Sequence, residues 1–362
     1  MSYDELTHEA VELLCRLIET PSISHEEGEA ATLLQQWMEQ RGLTPERHGN
    51  NLIVRCPNNQ SGRPTLLLNA HIDTVRPTNA WATNPHEAVR EGDRLTGLGS
   101  NDDGASLVSL TQVYRLLSQD SALPYNIILA VSAEEEVSGK GGMESIVPLL
   151  SDVDVALVGE PTGMQPAIAE KGLMVVDVTA HGKAGHAARD EGDNAIYHAL
   201  DDMQWVRNHR FGRVSPLLGP VKTTVTIVNA GTQHNVIPAE CTFTIDVRSN
   251  ELYTNQELFR ALQSGLKGEA KARSFRLGSS RIDEKHPLVQ AALAQGRTPF
   301  GSPTLSDQAL MPWPSMKMGP GDSRRSHTAN EYILVSELRE AIEMYHKMLG
   351  NLRINGPATP RD

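Results

Sequence analysis

Aromatic side chains make up only 4% of the 362 residues, and cysteine occurs three times, at Cys15, Cys56 and Cys241. Three thiols so far apart do not make a disulfide framework, so reduced, structural cysteines in a cytoplasmic chain are expected. Positive charge is also in deficit: the formal net charge is -12. With no Lys/Arg cluster to offset it, nucleic acid is excluded as a partner. No apolar run approaches the ~18 residues of a membrane helix, and Met1-Ser2-Tyr3-Asp4-Glu5-Leu6 lacks the basic and apolar segments of a signal peptide, so no membrane partner is expected. Internal repeats and low-complexity segments are missing too. What is present is 39% apolar residues, enough for a full core, and a length that predicts two domains or one domain with an insertion.

The chain is organised around Leu66-Leu67-Leu68-Asn69-Ala70-His71-Ile72-Asp73. An apolar run of strand length between Pro64 and Pro77 reads as a buried parallel strand delivering His71 and Asp73 to its C-terminal end, the edge at which open α/β sheets bind ligands. Period-2 geometry puts both on one side, so that Asp73 can orient the imidazole. Around this strand, helical stripes (Val11 to Ile18, Ala31 to Trp37) alternate with strands (Asn51 to Arg55, Thr65 to Ala70, Asn126 to Val131, Val153 to Val158), an α/β pattern.

Each further landmark falls at a strand end or turn. Gly97 to Gly104 is a glycine-rich turn before a helix from Ala105 to Leu117, but it lacks a P-loop's Gly-Lys-Ser/Thr, and Asp102 and Asp103 suit a cation better than a phosphate. Glu134-Glu135-Glu136 follows an apolar strand, where three carboxylates are costly unless something positive neutralises them. Glu160, in Gly159-Glu160-Pro161-Thr162, repeats the arrangement, and His327 lies in the stretch Gly319 to Tyr332.

Between Gly172 and Asp283 the grammar changes. Strands at 173–181, 222–230, 240–248 and 272–277 and helices at 194–207 and 255–266 follow the order βαββαβ, a ferredoxin-like unit. The expected architecture is therefore a mixed-sheet α/β catalytic domain, 1–172 plus 283–362, with an inserted ferredoxin-like domain at 173–282. The tail from Asn355, with its two prolines, is expected to be disordered.

His71, Asp102, a glutamate of the triplet, Glu160 and His327 form a mixed N/O set suited to zinc, with cobalt or manganese as substitutes. Shared by two ions around one bridging aspartate, such a set makes a two-metal hydrolytic site, with another glutamate of the triplet free to act as base.

These motifs, in this order along nearly the whole chain, resemble the zinc-dependent family that includes aminoacylase, acetylornithine deacetylase, succinyl-diaminopimelate desuccinylase and the glutamate carboxypeptidases. The resemblance implies His71, Asp102, Glu136, Glu160 and His327 as ligands of two Zn2+, with Asp102 bridging. It also implies Glu135 as general base and Asp73 as the residue orienting His71. The inserted domain is similar to the family's lid and dimerisation domain; His186, in Gly182-Lys183-Ala184-Gly185-His186, matches the histidine that reaches a neighbouring subunit's site, and a homodimer follows. Asn235 and Arg248 match substrate contacts, and because the substrates of relatives carry a free carboxylate, Lys171, Arg248, Arg324 and Arg325 are the candidate basic donors for it. Where relatives often have Asp-x-Lys-Gly, this chain has Asp102-Asp103-Gly104-Ala105. The implied activity is removal of an acetyl or succinyl group from an amino acid such as ornithine or citrulline in arginine biosynthesis. Succinyl-diaminopimelate desuccinylase or dipeptidase activity, and a catalytically silent binding protein, are the alternatives.

Overall fold

The computed structural model describes residues 1–354, so the tail from Asn355 lies outside the described residues. The chain divides into two compact units. The first comprises Met1–Ile168, Ile282–Phe300 and the chain from Ser306 onward; the second comprises Ala169–Arg281 and Gly301–Leu305.

In the first unit a mixed sheet is built from β1 (Pro45–His48), β2 (Asn51–Arg55), β3 (Thr65–His71), β4 (Asn126–Ser132) and β5 (Val155–Val158), joined by the strand Ser315–Lys317. The spatial order is β1-β2-β4-β3-β5 and then Ser315–Lys317. β3 is central and parallel to both neighbours, Leu67 lying opposite Ile128 on one side and Ala156 on the other. Every residue of β3 and of β4 is buried, because both faces are covered. On one face packs the helix Gly104–Leu117, with the helices Tyr3–Ile18 and Val335–Gly350 against it. On the other, Leu67, Ile128, Ala130 and Ala156 meet Met143, Ile146 and Leu150. The first helix begins where Ser2 and Glu5 cap each other's backbone, eight residues before the apolar stripe that the sequence made visible from Val11.

The second unit has the element order βαββαβ: β6 (Gly172–His181), a helix Ala195–Asn208, β7 (Lys222–Ala230), β8 (Glu240–Ser249), a helix Asn255–Gly265 and β9 (Glu269–Ala272). The sheet order is β7-β8-β6-β9, antiparallel throughout. Met174, Val176 and Val178 of β6 and Phe243, Ile245 and Val247 of β8 point to one face, where Ala199, Val206, Leu258 and Leu262 of the two helices cover them. The last strand differs from the expected 272–277: it runs from Glu269 to Ala272, because its pairing with β6 begins at Glu269 opposite Thr179. Gly301–Leu305 also departs from expectation by grouping with the second unit, where Ser302 accepts a hydrogen bond from the Lys171 N–H (3.1 Å).

Candidate metal centre

The C-terminal ends of β3, β4 and β5 bring His71, the glutamate turn and Glu160 to one edge of the first unit's sheet. The ligand atoms of His71, Asp102 and Glu136 lie within 4.8 Å of one another, as do those of His71, Glu135 and Glu160. Asp102 faces both histidines: Oδ1 lies 3.2 Å from His71 Nε2 and Oδ2 lies 3.7 Å from His327 Nε2. His327 Nε2 is also 2.9 Å from Glu136 Oε2. Two N/O ligands of one tetrahedral ion, each ~2.0–2.1 Å from it, stand roughly 3.3 Å apart, so these separations suit shared cations. The donor set, two imidazoles and several carboxylates, fits zinc-type ions.

The glutamate triplet splits. Glu134 has φ 55°, a left-handed backbone that reverses the chain after β4. Its carboxylate turns away from the centre, accepting the Gly141 N–H (3.0 Å) and meeting His25 Nδ1 (3.3 Å). A Cβ at Gly141 would run into that carboxylate. Glu135 and Glu136 face the centre, with Glu135 Oε2 3.9 Å from His71 Nε2.

Asp73 meets the imidazole through both its main chain and its side chain. β3 ends at His71, so Asp73 lies beyond the pleat, with its main-chain carbonyl 3.0 Å from His71 Nδ1 and its carboxylate 3.5 Å away. That carboxylate also accepts the N–H groups of Glu135 (2.9 Å) and Glu136 (3.1 Å) and the Ser24 hydroxyl (2.7 Å). It thereby fastens the glutamate turn to the end of β3. Asp102 and Asp103 are joined by a cis peptide bond. Asp103 lies behind the centre, accepting the His71 main-chain N–H (3.3 Å).

Burial and crowding set the charges. Burial pushes Glu135 and Glu160 well above the usual carboxylate range, and neighbouring carboxylates add to the effect; burial also raises Glu136. Burial works against a charged His71, yet Asp102 and Asp73 hold it well above its ordinary value. Its hydrogen bond to Glu136 pushes His327 up to about 9. So many carboxylates in one buried place have few protein cations to balance them, and bound cations would do so.

Sequence reasoning missed five polar residues that build this region. Glu331, 2% exposed, accepts the N–H groups of Gly99, Asn101 and Asp102. Glu27 accepts the N–H groups of His25 (2.6 Å) and Glu134 (3.3 Å). Asn69 donates to the Ser132 hydroxyl (3.0 Å), which in turn donates to Asp307, a carboxyl that burial raises to about 6. The available signal was Asn69 inside the apolar run of β3 and Ser132 ending that of β4.

The remaining candidates sit elsewhere. Arg324 is paired with Asp322, and Arg325 forks onto Glu337 (2.7 and 3.1 Å). In the second unit, Arg248 forks onto Asp246 (2.9 and 3.1 Å), whereas Lys171 donates only to the Pro220 carbonyl (3.2 Å). Lys171 lines a cavity of about 600 Å³ with Met203, Val206, Val221 and Lys222, and burial together with the neighbouring Lys222 and Arg248 pushes its amine below the usual lysine range. His186 and Asn235 arrive together on a short exposed ribbon, Gly185–His186 paired with Val236–Ile237, the Ala187 N–H donating to the Asn235 carbonyl (2.9 Å).

The model of the Peptidase family M20/M25/M40 matches residues 67–351, and the chain belongs to that family. A Peptidase M20 domain-containing protein of Schizosaccharomyces pombe is 28% identical over 93% of this chain and 83% of its own length. An acetylornithine deacetylase of Proteus mirabilis is 25% identical over 94% of this chain and 96% of its own length. A solved dinuclear metal-binding peptidase of the M20 family from Bacillus subtilis superposes with a TM-score of 0.73 at 17% identity, covering 96% of this chain and 98% of that one. Among the described residues, no helix is long and apolar enough to cross a membrane.

Proposed function

We propose that the chain is a metal-dependent amidohydrolase that removes an acetyl or succinyl group from the α-amine of a small amino acid such as ornithine or citrulline, in arginine biosynthesis. The observation that carries this reading is Asp102, whose two oxygens each face one histidine. In it, His71, Asp102 and Glu160 hold one cation and Asp102, Glu136 and His327 the other. Zinc, or cobalt or manganese in its place, supplies an acidified water and a polarised acyl carbonyl when bound.

The chain's own groups do the rest. Glu135 stands beside His71 with its proton affinity raised by burial, so it can take a proton from the attacking water and pass it to the departing amine nitrogen. Water thus adds to the carbonyl carbon as the C–N bond breaks, leaving a carboxylate and an amine. His186 accepts the Ala188 N–H at Nδ1 (3.1 Å), so in the neutral ring the hydrogen sits on Nε2, ready to be donated. We assign that donor to the oxyanion in a homodimer, through the partner subunit's His186. Arg248, Arg324 and Asn235 remain candidate substrate contacts, and among the described residues Lys171 is the basic candidate without its own carboxylate.

The test is a panel of N-acetyl and N-succinyl ornithine, citrulline, lysine and diaminopimelate, assayed with zinc or cobalt. Preferred hydrolysis of an acylated ornithine or citrulline supports the assignment. Preference for succinyl-diaminopimelate replaces the substrate, and tight metal binding with no hydrolysis across the panel overturns the enzyme reading.

A further inference from the structure

The Asp102 loop is held by a device that the sequence motifs do not include. The strand Tyr332–Leu334 pairs antiparallel with Arg94–Thr96, and the pairing continues one step further as the Gly97 N–H donates to the Glu331 carbonyl (3.0 Å). Glu331 is thereby set against the Gly97–Gly104 turn. Its Oε1 accepts the N–H groups of Asn101 (2.9 Å) and Asp102 (2.8 Å), and its Oε2 accepts that of Gly99 (3.2 Å). No Lys or Arg forms an ion pair with it among the described residues. Three main-chain donors converging on one buried side chain call for two accepting oxygens, which a carboxyl group supplies.

Asn101 completes the attachment from the other side. Its Oδ1 accepts the Asp322 N–H (3.0 Å), and its Nδ2 donates to the Asp322 carbonyl (3.2 Å) and the Ser326 hydroxyl (3.2 Å). A Cβ at Gly321 would run into this amide, so the two segments meet at the closest approach that glycine permits. Ser326 immediately precedes His327. The Asp102 loop and the His327 segment are therefore one piece, fastened by Glu331 and Asn101. His71, Glu135 and Glu136 belong to a second piece, fastened by Asp73.

We propose that Glu331 and Asn101 are positioning residues that set how Asp102 shares its oxygens, and that the cation at Asp102, Glu136 and His327 depends on them more than the other does. This inference rests on the two-cation reading above. The reason is a count of ligands: that cation takes two of its three residues from the clamped piece, whereas the cation at His71, Asp102 and Glu160 takes only one. Loosening the clamp leaves His71 and Glu160 where β3 and β5 put them.

The test is a competitive titration of the full chain with Co2+ against a chelator, resolving each equivalent, for the wild type, Glu331→Ala, Glu331→Gln and Asn101→Ala. In Glu331→Ala one equivalent should lose roughly 10–100-fold in affinity while the other changes by less than about threefold. Glu331→Gln, which can keep an acceptor toward Asn101 and Asp102, should recover most of that loss. Equal weakening of both equivalents, or no change in either, overturns the proposal. Hydrogen exchange of the Asn101 and Asp102 amides in the metal-free protein separates this idea from the reading beneath it. If the wild type takes up fewer than two equivalents, the two-cation reading fails; amides that are slow in the wild type and fast in Asn101→Ala and Glu331→Ala would still establish the clamp, and amides indifferent to both changes would remove it.

Discussion

The two units use strands in opposite ways. In the first, β3 and β4 are buried along their whole length on both faces, so polar groups that must meet solvent or ligand are confined to strand ends. In the second, β6 alternates between buried and half-buried positions along nearly its whole length, and the polar residues Asp177 and Thr179 take half-buried positions as ordinary surface. A polar residue at the end of a fully buried strand therefore carries more information than one inside an alternating strand. His71 and the glutamate turn were conspicuous for that reason, whereas Arg248, on an alternating strand, already has Asp246 as its partner.

The sharpest break of this contrast is Glu135→Gln. It removes a proton acceptor and leaves His71, Asp102, Glu136, Glu160 and His327 in place, so turnover should fall by about 10³–10⁴ while metal content stays unchanged. Steady-state rates beside metal analysis check it, and substantial residual turnover would reassign the base. The corresponding change in the second unit is His186→Ala. Loss of one oxyanion donor should lower kcat by about 10²–10³ with little change in metal uptake. Full activity would show that the exposed ribbon plays no part in the reaction.

The sheet-end groups were legible because chemistry there demands particular residue types after apolar runs. The order βαββαβ was legible from alternation. The supports were not: Glu331 reaches Asp102 across 229 residues of sequence, and Glu27 reaches Glu134 across 107. Each accepts main-chain N–H groups, and main-chain groups leave no trace in the identity of the residues that donate. Asp73 shows the same limit at short range. Periodicity brought it near His71, and its carboxylate also serves the amides of Glu135 and Glu136, a partnership that only the folded turn creates.

pH offers a smaller and graded test. In the metal-free chain Glu135, Glu136, Glu160 and His71 are all raised, and burial lifts Asp103 to about 7 and Glu331 to about 8. Because these folded-state values lie above the unfolded ones, the folded chain holds more protons, and its stability should fall as pH rises from about 4.5 to 8. Cations must displace the ligand protons, so metal affinity should rise over the same range, by about tenfold per pH unit for each proton released. Thermal melts with and without zinc across that range would show opposite slopes. A metal-free melting temperature that climbs with pH would refute the assignment of these groups as protonated.

The smallest effect on the centre is expected from the second unit's core. Phe243 is 1% exposed among Val176, Val178, Ile245 and Leu258, and Phe243→Ala should destabilise that unit by about 3–5 kcal/mol through lost burial and the cavity left behind. All five proposed ligands lie in the first unit, which has its own core against Leu67 and Ile128. Denaturant unfolding followed by hydrogen exchange in β6 and β8 should therefore shift to lower concentration, while the metal-binding stoichiometry of the folded protein stays the same. If metal uptake instead disappears together with the β8 amides, the two units unfold as one, and the contrast between a metal-holding unit and a separately stabilised inserted unit is wrong.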